Sequence, residues 1–338
     1  MASLVDVRHL TVDLPTERGW IRPLDDVSFT LDAGESLGIV GESGSGKTML
    51  GLSLIGLLPP AARVSGEILL RPRDVANSNP SRIPATDLIK ALPRDLRSVR
   101  GRDMAMIFQE PMTALNPLMR VGTQIEEAIA LHDPACSARD ARRRTVEVLA
   151  RAAVADPERI ASQFPHQLSG GLRQRAMIAM AISAQPRLLI ADEPTTALDP
   201  TVQKQILELL AQLQRDLGLA MIFISHDLAV VASLAHRIAV MYTGRIVEQG
   251  TAQQIVRSPR HPYTAGLLQA IPQMHREALR PIPGSVPPLN DLPEGCTFGP
   301  RCEFHRSECD VAVPNPREAE PQHFARCILV PENASPCP

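Results

Sequence analysis

The sequence predicts an α/β fold built on a largely parallel β-sheet. From residue 4 to about residue 257, short apolar runs alternate with longer amphipathic runs, as strands and helices alternate in α/β domains. Three of the apolar runs, at 36–40, 188–191 and 219–225, are bounded by glycine, proline or charged residues. Strands covered on both faces of a sheet have this composition, so we expect all three runs to be buried strands.

The clearest predicted helix begins at Thr201 and is followed by Gly218, which is placed to end it. Its apolar residues recur at helical spacing and should pack in the core; they are Val202, Ile206, Leu209, Leu210, Leu213 and Leu217. Residues 72–100 are instead polar, proline-broken and aperiodic, which predicts a surface insertion.

Composition and charge exclude several classes of protein. The 338 residues are 44% hydrophobic and 21% charged, with a formal net charge of -2, so no overall positive field favours nucleic acid as a partner. The most apolar stretch, 176–191, is interrupted at 185–187 and is too short to cross a bilayer. Residues 1–10 lack the order of a secretory signal, so we expect a cytosolic protein with reduced thiols.

Residues 41–48 carry the strongest chemical signal. They fit the pattern G-x-x-x-x-G-K-[ST] directly after a predicted strand and before an apolar helical run, 49–58. Glycines allow the backbone N–H groups to turn inward around phosphates, while Lys47 reaches the β and γ oxygens and Thr48 offers a Mg²⁺ ligand. The sequence therefore predicts a Mg-ATP site in this phosphate loop, formed by Gly41, Glu42, Ser43, Gly44, Ser45, Gly46, Lys47 and Thr48.

Two acidic residues follow another predicted strand. Asp192 and Glu193 come at the carboxyl end of the run 188–191, the edge of an open α/β sheet where ligands gather. Beside a phosphate loop, Asp192 is expected to hold Mg²⁺ directly or through water, and Glu193 to orient or deprotonate the attacking water.

A serine and two glycines, Ser169, Gly170 and Gly171, precede a well-formed helical run. Such a sequence caps a helix and makes an anion site. Taken alone, a plain helix cap is the simpler interpretation.

In this order, the phosphate loop, Gln109, 168–171, Asp192–Glu193, 197–199 and His226 resemble the motifs of the ATP-binding cassette (ABC) ATPases over about residues 4–257. The resemblance implies an ABC-type P-loop NTPase core, residues 1–257, with a helical signature subdomain at about 110–176. It also implies a head-to-tail dimer in which Ser169, Gly170 and Gly171 contact the ATP of the partner subunit. Gln109 would contact Mg²⁺ and the attacking water, His226 the γ-phosphate, and Asp199 the dimer seam.

One position departs from this family. The aromatic residue that usually stacks on adenine falls near Asp13 or Leu14, and neither is aromatic. Trp20 is a candidate substitute, with packing in a hairpin as the alternative, so the base contact stays open.

Residues 109–117 and 261–272 resemble segments of the oligopeptide/dipeptide and nickel importer ATPases. This implies a peripheral subunit on the cytosolic membrane face, paired with a sister ATPase, two permease subunits and an external substrate-binding protein. Peptides are the favoured cargo, with nickel chelates and haem-like ligands open. A soluble ABC ATPase without a transporter is the alternative from another class.

Residues 258–338 form a proline-rich arm with an uneven share of cysteine: of the cysteines at 136, 296, 302, 309, 327 and 337, all but the first lie here. In a reducing compartment such a group indicates a metal or cluster site before a disulfide framework. Cys296, Cys302, Cys309 and Cys327 resemble the family's C-terminal module, in which four cysteines hold a [4Fe-4S] cluster of structural role. Zinc or free thiols are the alternatives, although the C-x2-C knuckle of small zinc sites is missing.

Overall fold

The fold is that of a computed structural model, in which the described residues are 3–17, 19–73, 85–109, 114–196, 198–271 and 281–331. Contacts divide the chain into two compact units. Unit 1 comprises Met1–Leu4, Asp32–Glu35 and Arg71–Ile222, and unit 2 comprises Val5–Leu31, Ser36–Leu70 and Phe223–Pro338. Within the described ranges, none of the helices combines the length and the apolar character that a membrane crossing requires.

Strands and helices alternate along much of the chain, as the sequence pattern predicts. The strands are β1 (Val5–Thr16), β2 (Gly19–Leu31), β3 (Ser36–Val40), β4 (Arg63–Leu70), β5 (Thr86–Asp87), β6 (Met104–Ile107), β7 (Leu188–Asp192), β8 (Ala220–Ser225), β9 (Arg237–Tyr242), β10 (Arg245–Thr251), β11 (Arg317–Glu320) and β12 (His323–Ala325). The helices are α1 (Lys47–Leu54), α2 (Pro93–Val99), α3 (Val121–His132), α4 (Ala138–Arg151), α5 (Pro157–Ser162), α6 (Gly170–Ile182), α7 (Pro200–Leu217), α8 (Leu228–Ala232), α9 (Ala252–Arg257) and α10 (Pro262–Gln269). Short 3-10 turns cover Pro165–Gln167, Gly299–Arg301 and Ser307–Asp310.

Unit 1 contains the predicted strand that ends in two acids. Every residue of β7 is buried, and β7 pairs in parallel with β6, so that Ile107 lies opposite Ala191. Helix α7 buries the predicted stripe through Ile206, Leu209, Leu210 and Leu213, and Gly218 ends it in the left-handed conformation, with φ of 62°. Strand β8 begins in unit 1 and ends in unit 2.

The segment 72–100 lies in unit 1 and is described in part, because 74–84 fall outside the described residues. Its helix α2 buries none of its residues, as a surface insertion would. Four further helices, α3 to α6, follow between residues 121 and 182, in the region expected to form a helical subdomain.

Unit 2 holds two sheets. In the first, β1 lies between β2 and β4 in antiparallel pairing, with Val5 opposite both Leu31 and Leu70. In the second, β3 pairs in parallel with β9, and β9, β10, β12 and β11 follow as antiparallel neighbours.

The C-terminal segment is built into the fold of unit 2. Strand β12 adds to β10, with Ala325 opposite Glu248 and Phe324 opposite Gln249. Tyr263 and Phe298 share one buried cluster with residues of β3 and β9, including Val40 and Tyr242. The strand that carries the phosphate loop and the C-terminal region therefore share a core.

Candidate functional site

The phosphate loop, residues 41–48, leaves the fully buried strand β3 and enters α1 at Lys47. Gly44 and Gly46 have φ of 81° and 99°, which L side chains rarely adopt. A Cβ at Gly41 would lie 2.2 Å from the backbone oxygen of Met241, and one at Gly46 would lie 2.4 Å from that of Pro23. Close backbone approach therefore requires glycine at both positions.

Lys47 carries its charge inside this loop. The residue is 5% exposed, and its Nζ donates to the backbone oxygens of Gly41 at 2.8 Å and Glu42 at 2.9 Å. Nζ also lies 3.4 Å from Oγ of Ser45. The ammonium group is thus held where the loop backbone curves around it, as binding of an anion by this loop requires.

Contacts from the C-terminal segment reach the loop at Glu42. The Glu42 carboxylate accepts from both terminal nitrogens of Arg301, and its backbone N–H donates to Oη of Tyr263 at 2.8 Å. Sequence reasoning missed both partners. No local pattern signals them, because Arg301 lies 259 positions from Glu42.

In unit 1 the structure brings Gln109 and Glu193 together. Each lies two residues beyond a pair of the parallel ladder, Ile107 opposite Ala191. Oε2 of Glu193 accepts from Oγ1 of Thr196 at 2.8 Å and from Nε2 of Gln109 at 3.3 Å. Thr196 is a partner that sequence reasoning did not identify.

Glu193 has a left-handed backbone, with φ of 44°, directly after the extended strand β7. A non-glycine residue in this conformation costs free energy that the surrounding fold must supply. Asp192 immediately before it is 1% exposed. Asp192 is therefore buried at the end of β7, whereas the carboxylate of Glu193 accepts hydrogen bonds from Gln109 and Thr196.

The serine and glycines predicted to cap a helix do so at the start of α6. Oγ of Ser169 accepts from the backbone N–H of Leu172 at 3.4 Å, and Ser169 and Gly170 are exposed. A Cβ at Gly171 would lie 2.8 Å from Cγ1 of Val202, at the first turn of α7. A larger residue at position 171 would therefore clash with Val202.

Two further predicted positions are Asp199 and His226. Asp199 caps α7, with Oδ1 accepting from the N–H groups of Thr201 and Val202 at 3.1 and 3.0 Å. His226 is exposed just beyond β8, in unit 2. Ala197, within the motif 197–199, lies outside the described residues, as do 110–113, 272 and Cys337.

Trp20 lies in the hairpin of β1 and β2, opposite Pro15, and is 46% exposed. The guanidinium carbon of Arg63 is 3.9 Å from the centre of its ring, a cation–π contact that covers one face. Near the turn of the same hairpin, Asp13 pairs with Arg22 at 2.8 Å.

The cysteines at 296, 302, 309 and 327 line one apolar cavity together with Phe298 and Phe304. Burial raises the pKa of Cys327 to about 11, with the three other thiols adding to the shift, and burial also raises the pKa of Cys296 and of Cys302. Across the described ranges, no three or more His, Cys, Asp or Glu side chains form a group that could hold a metal ion. The four thiols thus share a cavity without being drawn into coordinating distance.

Comparison with known proteins identifies the chain's relatives. Residues 24–196 match the family model for ABC transporters, and residues 247–309 match that for the oligopeptide/dipeptide transporter C-terminal region. A putative peptide import ATP-binding protein of Brucella ovis is 44% identical over 98% of both chains. Another of that description from Brucella abortus is 46% identical over 91% of this chain and 90% of its own.

Solved structures agree with the sequence matches. A dimeric ATP-binding cassette in a post-hydrolysis state with ADP and phosphate is 27% identical and covers 73% of this chain and 98% of its own, with a TM-score of 0.62. A subunit of a Clostridium perfringens ABC transporter complex is 25% identical and covers 76% and 92%, with a TM-score of 0.61.

A phosphate loop on a buried strand, with acids at the end of a second strand, defines a P-loop ATPase. With the matches above, the chain belongs to the ATP-binding subunits of ABC transporters, and its cassette is followed by the C-terminal region of the oligopeptide/dipeptide group. It is an ATPase coupled to transport, so the relationship that the sequence motifs predict is confirmed.

Proposed function

We propose that this chain is one of two ATPase subunits that drive import of dipeptides or oligopeptides. One observation carries the proposal: a cassette and the C-terminal region of oligopeptide/dipeptide transporters occur in a single chain, with relatives described as putative peptide import proteins over 98% of its length. The other subunits are a sister ATPase, two transmembrane permeases and an external substrate-binding protein. The chain works at the cytoplasmic face of the membrane as a peripheral subunit.

In the proposed reaction, residues 41–48 bind the ATP phosphates through their N–H groups and through Lys47. Thr48, Gln109 and Asp192 hold Mg²⁺, which neutralises charge on the phosphates. Glu193 accepts a proton from the attacking water, and its contact with Gln109 at 3.3 Å supports a shared role in orienting that water. His226 contacts the γ-phosphate from the end of β8.

The site is proposed to be completed by a second subunit. Ser169, Gly170 and Gly171 contact the ATP held by the partner, and Asp199 lies at the seam between them. Exposure of Ser169 and Gly170 at the start of α6 supports this role, since a helix N-terminus attracts phosphate. The dimeric solved structure with ADP and phosphate, similar in fold, is consistent with it.

We further propose two functional parts, the cassette of residues 1–257 and the C-terminal module of residues 258–338. In the module, Cys296, Cys302, Cys309 and Cys327 hold a [4Fe-4S] cluster of structural role. Four thiols line one apolar cavity and supply the donor set that such a cluster takes; their raised pKa values oppose loss of their protons, and the positive charge of iron would offset that cost. Metal analysis and electron paramagnetic resonance of anaerobically purified protein test this, and zinc without iron would rule it out.

Transport itself is tested in proteoliposomes that contain both permeases and both ATPases, with the external binding protein supplied outside. A dipeptide or oligopeptide should stimulate ATP hydrolysis and accumulate inside, while nickel chelates and haem should do neither. Stimulation by a nickel chelate or haem alone would assign the chain to those cargoes. If the chain does not co-purify with any membrane subunit, the alternative of a soluble ABC ATPase without a transporter would be favoured.

A further inference from the structure

Arg301 connects the cysteine module to the phosphate loop. It ends the short turn Gly299–Arg301, directly before Cys302, and its side chain is 4% exposed. Its Nη1 donates to Oε2 of Glu42 at 2.7 Å, and its Nη2 donates to Oε1 at 3.2 Å. This is a two-point contact between a guanidinium and a carboxylate, the geometry that gives such pairs their strength.

Contacts with the C-terminal module and with buried aromatic residues of unit 2 hold the Arg301 side chain in position. Nε donates to the backbone oxygen of Pro283 at 2.8 Å, and Nη1 lies 3.3 Å from Oη of Tyr242. The guanidinium also lies 5.9 Å from the ring centres of Tyr242 and Phe298. Because each of these contacts restricts the side chain, Arg301 presents its two nitrogens to Glu42 in one orientation.

Glu42 is thereby held at three points. Its carboxylate meets Arg301, its N–H donates to Tyr263, and its backbone oxygen accepts from Nζ of Lys47 at 2.9 Å. Tyr263 is itself fully buried and packs against Tyr242, with ring centres 4.7 Å apart. The C-terminal region therefore holds a residue that contacts the phosphate-binding lysine.

Charge gives this contact a functional consequence. A carboxylate within a phosphate loop opposes the approach of a triphosphate, because like charges repel. The Glu42 side chain is 32% exposed, so solvent screens part of this repulsion. Arg301 neutralises that carboxylate and turns it towards the module. Without Arg301, Glu42 would carry an unpaired charge in the loop that binds ATP.

We propose that Arg301 is a positioning residue through which the C-terminal module sets the affinity of the phosphate loop for nucleotide. The inference rests on the proposed role of residues 41–48 in binding ATP. The region around Cys302 then affects nucleotide affinity, because a shift of the turn Gly299–Arg301 would move Arg301, the partner of Glu42.

The test is a fluorescence titration of the full-length chain with a fluorescent ATP analogue and Mg²⁺, together with its thermal unfolding midpoint. Arg301→Gln should weaken binding about tenfold or more, as loss of a charged hydrogen-bonded pair implies. The double variant Glu42→Gln, Arg301→Gln removes both charges, so its affinity should return to within about threefold of the unmodified chain. A structural role of the charged pair alone would not produce this recovery, because the double variant does not restore the charged two-point contact.

Arg326→Ala is the matched control. Arg326 belongs to the same module, is 8% exposed and pairs with Asp26 at 2.7 Å, without contacting the phosphate loop. It should lower the unfolding midpoint and leave nucleotide affinity unchanged.

Unchanged affinity in Arg301→Gln, or a double variant as weak as the single one, would overturn the inference. If Arg301→Gln does not fold, Arg301→Met replaces it: a thioether of similar length carries no charge, so binding should again weaken about tenfold, and full affinity would count against the proposal. Lys47→Ala distinguishes failure of this inference from failure of the proposed function. Normal nucleotide affinity in Lys47→Ala would contradict the proposed role of residues 41–48 in binding ATP. Weak binding in Lys47→Ala with normal affinity in Arg301→Gln would contradict the inference about Arg301 alone.

Discussion

Glu193 combines a strained backbone with two hydrogen bonds that orient its carboxylate. Its φ of 44° places it in a turn that few non-glycine residues adopt, and Thr196 and Gln109 both donate to Oε2. Strain of this kind is retained where the fold holds a side chain in a required position. The arrangement fits a group that must meet a water molecule in one orientation.

Glu193→Gln tests that role at the residue scale. An amide keeps the size of the side chain but cannot accept a proton, so turnover should fall by about a hundredfold or more while ATP binding persists. An ATP-bound closed dimer should then accumulate, as a shift in size-exclusion elution with ATP. Glu208→Gln is the control, because Glu208 lies exposed on α7 and pairs with Lys204. An unchanged turnover rate in Glu193→Gln would refute the assignment.

At the scale of elements, α6 packs against α7 where Gly171 faces Val202. A Cβ at Gly171 would lie 2.8 Å from Cγ1 of Val202, and a β-branched side chain has few rotamers with which to withdraw. The signature glycine thus serves packing inside one subunit as well as its proposed contact with a second one.

Gly171→Ala therefore separates the two roles. The extra methyl should lower the free energy of unfolding by about 1–3 kcal/mol through overpacking, measured by chemical denaturation. Gly171→Ala combined with Val202→Ala makes room for the methyl and should recover part of that loss. If ATP turnover stays low in the double variant although stability returns, the glycine is needed for phosphate; recovery of both would assign it to packing alone.

Sequence patterns predicted the elements whose signals are local. The glycines of the loop, the apolar run of β7 and the stripe of α7 each occupy fewer than about 20 consecutive residues, where periodicity and turn chemistry are readable. Strands β11 and β12 were not predicted. They are 4 and 3 residues long and lie among prolines, and β12 is a strand through its pairing with β10 on one side and β11 on the other.

The same limit applies to the site. Glu193 and Gln109 were identified from motifs, but their contact follows from the register of β6 and β7, which the sequence does not state. Arg301 carried no motif at all. Its function depends on a fold that brings it beside Glu42 across 259 positions, and long-range pairing of this kind is decided by tertiary packing.

At the scale of the whole molecule, the proposed sharing of the site makes activity depend on association. One subunit supplies Lys47 and Glu193, and the partner supplies Ser169, Gly170 and Gly171 to the same ATP. ATP binding by the chain alone needs only the first set, whereas hydrolysis needs both. The two measurements should therefore respond differently to protein concentration.

ATP turnover per subunit of an equimolar mixture of this chain and its sister ATPase should rise nearly in proportion to concentration while dimers are rare, and level off as they form. Affinity for a fluorescent ATP analogue, measured over the dilute part of the same range, should stay constant. Adding a chain that carries Ser169→Arg should depress turnover, since the larger side chain at the start of α6 blocks closure of the mixed dimer on ATP; Lys204→Ala, which alters an exposed side chain of α7, should not. Turnover per subunit that is constant down to nanomolar protein, and indifferent to Ser169→Arg, would mean that each chain hydrolyses ATP by itself, and the shared site would have to be abandoned.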